Sequence, residues 1–207
     1  MSANDSAQPK SPDASASTNP GSLGGRRILL ALSGGIACYK SATLTSRLVQ
    51  RGADVRVIMT ESATRFITPL TLQSLSGHPV LTSIWQSDDR PDAQHVGLAR
   101  WCELLVIAPA TANIIAKITH GICDDVVSLV ACALPRETPA LIAPAMNADM
   151  WANPITQRNM VTLHETLGWQ SVGPEAGWQA CRTSGAGRMS EPEVIAEAMG
   201  RLLNAGR

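Results

Sequence analysis

A chain of 207 residues with 17 basic and 17 acidic side chains has no electrostatic footprint for nucleic acid. Its length suits one domain with a full core, and no apolar run is long enough to span a membrane. Five cysteines at irregular spacing, with no C-x-x-C pair and no secretion signal, point to reduced thiols and a cytoplasmic protein.

Residues 1–25 are rich in Ser, Ala, Asn, Asp and Pro and have almost nothing to bury, so they read as a disordered tail ahead of a domain over 26–207. A strand over 26–32 enters the core. Ser33-Gly34-Gly35 then turns the chain into a helix over 36–51, which Gly52 ends. A second strand follows over 54–59, and Thr60-Glu61-Ser62 opens another helix. Residues 80–92 are irregular. A short helix over 95–101 precedes a strongly apolar strand over 103–108, and the turn 109–113 leads into a helix over 114–119. A buried helix over 124–134 has an acidic cap, and the next strand spans 139–143. Asn153-Pro154 restarts a helix that runs to about Gly168. A last short strand covers 169–172, residues 173–189 read as a Gly-rich loop, and an amphipathic helix closes the chain over 191–203. Strands alternating with helices give an α/β fold with a doubly wound parallel sheet.

In such sheets ligands sit beyond the carboxyl ends of the strands, and four turns there carry small or polar residues: 33–35, 60–62, 109–113 and 144–147. Backbone N–H groups at helix starts, backed by the hydroxyls of Ser33, Thr60, Ser62 and Thr111, suit a phosphate. Gly34-Gly35 is followed by Ile36-Ala37-Cys38, so the dinucleotide fingerprint is missing and a mononucleotide fits better than a nicotinamide dinucleotide. Met146, Met150 and Trp151 surround Asn147, which is either the polar handle of a dry pocket or the cap of the next helix. His95, with an unperturbed pKa near 6.5, is either a general base or a surface histidine. No metal-ligand pattern, nucleophile elbow or P-loop is present.

Five motifs in order carry a resemblance. They are Ser33-Gly34-Gly35-Ile36-Ala37-Cys38-Tyr39-Lys40; His95 with Leu98-Ala99-Arg100-Trp101; 109–117; Pro144-Ala145-Met146-Asn147-Ala148-Asp149-Met150-Trp151; and the flap 180–189 with Cys181. Together they resemble the homo-oligomeric flavin-containing cysteine decarboxylases over about residues 26–200. The resemblance implies a Rossmann-like (flavodoxin-like) single domain that uses flavin mononucleotide (FMN). FMN would be held by Ser33, Gly34, Gly35, Ile36, Thr60, Glu61, Ser62, Thr111, Ala112, Asn113, Ile114 and Ala145. Asn147, Ala180, Arg182 and Met189 would bind substrate, with Asn147 on the carboxylate, while His95 acts as base and Cys181 as proton donor.

The implied reaction is decarboxylation of 4'-phospho-N-pantothenoylcysteine to 4'-phosphopantetheine in coenzyme A biosynthesis. An acylated cysteine has no electron sink beside its carboxylate. Oxidation of the CH₂–SH to a thioaldehyde supplies one, carbon dioxide leaves to give an enethiolate, and returned hydride and proton complete a redox-neutral cycle. The family's S-A-N-T is Thr111-Ala112-Asn113-Ile114 here, a change bearing on one phosphate or ribityl contact, and Arg182 stands where a small residue is common. With the chain ending at Arg207, the ligase half of bifunctional members is expected in a separate protein or not at all. The resemblance also implies a homo-oligomer, a trimer or a dodecamer of trimers, with His95 meeting flavin of a neighbouring subunit. The alternatives are a peptidyl-cysteine decarboxylase of lantibiotic-type maturation, a flavin prenyltransferase, and a non-catalytic flavin-binding regulatory subunit of a phosphatase.

Overall fold

The computed structural model describes residues 23–85 and 94–205. The expected tail lies outside them up to residue 22, as do residues 86–92 of the irregular stretch. In chain order the elements are β1 (Arg27–Leu32), α1 (Cys38–Gln50), β2 (Asp54–Met59), α2 (Glu61–Thr64), α3 (Pro69–Ser76), α4 (Gln94–Trp101), β3 (Leu104–Ala110) and α5 (Ala112–His120). Then come α6 (Val126–Cys132), β4 (Ala140–Pro144), α7 (Ala148–Ala152), α8 (Pro154–Glu165), β5 (Gln170–Ser171), β6 (Glu175–Trp178), β7 (Ser184–Arg188) and α9 (Pro192–Ala205).

Strands β2-β1-β3-β4-β5 form one sheet in that order, with every pairing parallel. The order reverses direction at β1 and β3, which makes the sheet doubly wound and opens a crevice at the carboxyl ends of those strands. Both faces are covered, which is why β1, β3 and β4 are continuous apolar runs rather than alternating ones. Alternate residues still go to opposite layers. Ile28, Leu30 and Leu32 join α1 and α9 in one cluster, while Leu29 and Ala31 join α5, α6 and α8 in the other. Each fully buried Leu or Ile in these layers contributes about 1.5–3 kcal/mol.

Three departures from the sequence-based expectations have local causes. Leu23 is buried against the α1 face and its N–H donates to the Arg51 carbonyl at 3.1 Å, so ordered structure begins at least three residues before 26. β3 continues through Pro109 to Ala110, because a register shift after Ile107 lets Ala110 pair with Pro144. Finally, 173–189 is not a loop throughout: β6 and β7 form an antiparallel hairpin outside the main sheet. Glycines there permit close approach to α7 and the turn before it, since a Cβ on Gly185 would sit 2.6 Å from Ala148 Cβ and one on Gly187 (φ +148°) 2.2 Å from the Met146 carbonyl oxygen.

Candidate functional site

A cleft of about 890 Å³ opens at the carboxyl ends of β1 to β4. Three turns make its floor. Ser33 follows β1; its Oγ lies 2.8 Å from the Pro109 carbonyl and 3.0 Å from Thr111 Oγ1, and it accepts the Thr111 N–H at 2.9 Å. The turn after β1 is thereby tied to the start of α5. Gly34 meets the turn after β2 so closely that a Cβ would stand 2.4 Å from Ser62 Cβ. Thr60 caps α2 by accepting the Ala63 N–H, and Thr111 caps α5 by accepting the Ile114 N–H. These hydroxyls organise the turns. The first residues of α2 and α5 line the cleft, and the N–H groups of a helix's first turn have no intrahelical partner.

The opposite wall is the Met-Asn turn and the hairpin. Asn147 caps α7, its Oδ1 accepting the Met150 N–H at 2.9 Å. That bond fixes the amide plane and leaves Nδ2 pointing outward, 4.0 Å from Cys181 Sγ. Capping and site placement are therefore one arrangement. Cys181 is exposed at the hairpin tip, with Sγ 3.0 Å from Thr183 Oγ1 and 3.6 Å from Gln179 Oε1. The Thr183 hydroxyl chiefly, with a smaller contribution from the Asn147 amide, holds the Cys181 pKa below the ordinary thiol value. Lys40, buried under the hairpin's far end, donates to the Met189 carbonyl at 2.8 Å and to Glu191 at 2.9 Å, and this bond keeps Glu191 a stronger acid than usual.

Of the residues singled out in the sequence, Ser33, Gly34, Gly35, Ile36, Thr60, Glu61, Ser62, Thr111, Ala112, Asn113, Ala145, Asn147, Ala180, Cys181 and Met189 all line this cleft. Three do not. Ile114 is wholly buried in the core layer beneath α5, so no side chain at that position would face the cleft without a change of helix rotation. Arg182 is exposed at the hairpin tip, in a left-handed conformation (φ 64°), and is not a lining residue. His95 sits in the first turn of α4, half-buried, and is not a lining residue of the single chain.

The cleft also contains residues to which the sequence reading assigned no role. Lys117 lies one helical turn beyond Asn113, and this i,i+4 spacing was a readable signal. Its Nζ pairs with Asp124 at 2.6 Å and Asp125 at 2.7 Å. Burial pulls its pKa down, but the two carboxylates outweigh burial and raise it. Gln179 and Trp178 came in with the hairpin and had no periodic signal. Among the described residues no cluster of His, Cys, Asp and Glu could hold a metal ion, and no helix is long and apolar enough to cross a membrane.

The residues present suit a flavin mononucleotide. At Gly34 the turns after β1 and β2 meet too closely for a Cβ, which brings both backbones to the edge of the cleft, and the helix starts offer N–H groups to a phosphate. Around the rim Ile36, Met150 and Trp178 are 60%, 49% and 66% exposed, which is apolar surface for a flat ring to cover.

Residues 16–204 match the Flavoprotein family. The chain is 46% identical over 173 residues to the coenzyme A biosynthesis bifunctional protein CoaBC of Bacillus subtilis, covering 84% of this chain and 42% of that protein. It thus spans less than half the length of such bifunctional relatives. Over 170 residues it is 43% identical to the probable phosphopantothenoylcysteine decarboxylase of Streptococcus mutans, covering 82% of this chain and 94% of that one. Among solved structures, a cysteine-to-serine mutant of PPC decarboxylase complexed with pantothenoylaminoethenethiol superposes with a TM-score of 0.76 at 34% identity, covering 87% of this chain and 99% of the other. The FMN-binding protein AtHal3 gives 0.74 at 33% identity, covering 88% and 98%. With the match running through β1 to α9 and the fold shared with these neighbours, the chain belongs to the Flavoprotein family.

Proposed function

We propose that this chain is an FMN-dependent phosphopantothenoylcysteine decarboxylase, which converts 4'-phospho-N-pantothenoylcysteine to 4'-phosphopantetheine in the cytoplasm. The observation that carries the reading is the Asn147 amide facing the Cys181 thiol at 4.0 Å above a cradle of backbone turns. The similarity to the Streptococcus mutans protein and to CoaBC supports the substrate assignment.

FMN, when bound, supplies the two-electron chemistry that makes the substrate's carboxylate a leaving group. The chain's own residues do the rest. The turns at Gly34, Ser62 and Thr111 hold the phosphate end, with N–H groups that need no reorganisation. Asn147, its oxygen already engaged in capping, presents Nδ2 to the substrate carboxylate. An amide binds that group without the fixed positive charge that would stabilise it against loss. Cys181 Sγ then gives its proton to the substrate carbon, and a pKa held below the ordinary thiol value makes it a better donor.

His95 acts as base on the substrate thiol. Its position outside the single chain's cleft supports a homo-oligomer, a trimer or a dodecamer of trimers, in which α4 of one subunit completes the site of the next. The decisive experiment is to purify the protein and test whether it is yellow and releases carbon dioxide from the phosphorylated substrate. A peptide ending in cysteine, assayed in parallel, separates this activity from peptidyl-cysteine decarboxylation. His95→Asn is expected to abolish decarboxylation with flavin retained. Cys181→Ser is expected to stop at the enethiol product.

A further inference from the structure

We propose that Gln179 is the positioning residue that keeps the Cys181 thiol over the Asn147 amide. The inference rests on the decarboxylase reading above, in which those two groups share one substrate.

Gln179 is the last residue before the hairpin tip, lines the cleft, and is 8% exposed. Its Oε1 accepts the Ala148 N–H at 3.0 Å, and its Nε2 donates to the Gly185 and Ala186 carbonyls, each at 3.3 Å. Ala148 opens α7 directly after Asn147, so its N–H is one that the helix cannot satisfy itself. One side chain therefore closes the hairpin across its own strands and fastens it to the helix that Asn147 caps. The packing leaves no slack: a Cβ on Gly185 would stand 2.6 Å from Ala148 Cβ, and one on Gly187 would stand 2.8 Å from Gln179 Nε2.

The hairpin has a second tie to this turn, from the Met146 N–H to the Gly187 carbonyl at 2.9 Å. That tie holds the β7 side. The β6 side, which leads into Cys181, is paired with β7, and the Gln179 side chain adds its bond to the start of α7. Without the amide the hairpin stays attached at Gly187, and the tip swings away from Asn147.

The test uses charge as a ruler on the purified flavin-bound protein. The pH midpoint for alkylation of Cys181 is followed by peptide mass mapping, which separates it from the other four cysteines. Asn147→Asp keeps a helix-capping oxygen and puts a carboxylate close to the thiol. In the otherwise native chain it should raise the midpoint by about one pH unit. In a Gln179→Met background the same substitution should raise it by less than about a third of that, because the tip no longer holds the distance. The charged side chains lining the cleft, Lys40, Glu61, Lys117, Asp124, Asp125 and Arg188, are common to all four proteins and cancel in the comparison.

Equal shifts in both backgrounds would overturn the proposal. Should Gln179→Met fail to fold, Gln179→Glu keeps the Ala148 acceptor and loses both donor bonds. It should reduce the shift partially, and an undiminished shift there would again overturn it. A turnover readout complements the ruler. Gln179→Met should raise the ratio of enethiol to finished product while KM stays within about twofold, whereas a general loss of structure would lower both products together. Absence of decarboxylation in the native chain would remove the decarboxylase reading and leave the alkylation result standing.

Discussion

The cleft has two walls built on different principles. The floor of turns after β1, β2 and β3 stands on strand ends that are wholly buried, and Ser33 Oγ ties the first turn to the third through the Pro109 carbonyl at 2.8 Å and Thr111 Oγ1 at 3.0 Å. The hairpin wall lies outside the sheet, has mostly exposed residues, and is held by one buried glutamine, one lysine and backbone contacts across glycines. A rigid floor suits a cofactor that stays bound. A wall fastened by a few replaceable bonds suits a thiol that has to meet a substrate which enters and leaves.

The largest break should come from the floor. Gly34→Ala places a Cβ 2.4 Å from Ser62 Cβ and 2.8 Å from the Ser62 carbonyl carbon, so the turns after β1 and β2 must separate. Because both turns are continuous with the core, the expected cost is about 2–3 kcal/mol of stability together with loss of flavin retention. Urea unfolding and the visible absorbance of the purified protein check the two effects.

A substitution in the hairpin should separate those effects. In Gly187→Ala a Cβ would meet the Met146 carbonyl oxygen at 2.2 Å, at a φ of +148° that only glycine adopts freely. The hairpin must lift, but the five-stranded sheet beneath it loses no contact of its own. Unfolding stability should change by no more than about 1 kcal/mol and flavin should remain, while turnover falls on the order of 10²-fold from misplacement of the thiol. Equal loss of stability in the two glycine variants would erase the contrast between the walls.

The same contrast explains what the sequence disclosed. Strands of the sheet announce themselves as apolar runs, and each turn beyond them is found by where the run stops; Ser33, Thr60, Thr111 and Asn147 were all located that way. The hairpin strands Glu175–Trp178 and Ser184–Arg188 do turn alternate residues inward, but the inward positions are Glu175, Gly177, Gly185 and Gly187, so burial alternates with no alternation in hydropathy and the stretch resembles a loop. Gln179 was invisible for a related reason: its partners are backbone groups of Ala148, Gly185 and Ala186, and backbone bonding leaves no trace in residue type. The side chain of Ile114 lies in the core because helix rotation turns every third or fourth side chain inward, which a motif read residue by residue does not show.

The smallest effect lies at the other end of the sheet and tests whether fold and site respond to pH separately. Glu103 precedes β3; one carboxylate oxygen accepts from Arg26 Nη1 at 2.9 Å and the other from the Arg27 N–H at 3.0 Å. The Arg27 N–H first, then the Arg26 guanidinium against the counteracting effect of burial, hold its pKa below the ordinary carboxylate value. A carboxylate whose folded pKa is depressed adds stability that is complete above its unfolded pKa of about 4.3 and disappears as pH falls through the lower folded value. Glu103→Gln should therefore cost about 1 kcal/mol or less at neutral pH and nothing at pH values below the folded pKa, where the native side chain is itself protonated. Cys181 should respond at the opposite end of the scale. Proton donation requires the thiol, so formation of finished product should decline as pH rises through a pKa lying below the ordinary thiol value, while the same depressed pKa adds to folded stability over that range rather than subtracting from it. Stability measured by urea and product ratio measured by chromatography should thus fail at opposite pH extremes. Failure of both at the same pH would mean that the hairpin and the sheet unfold as one unit.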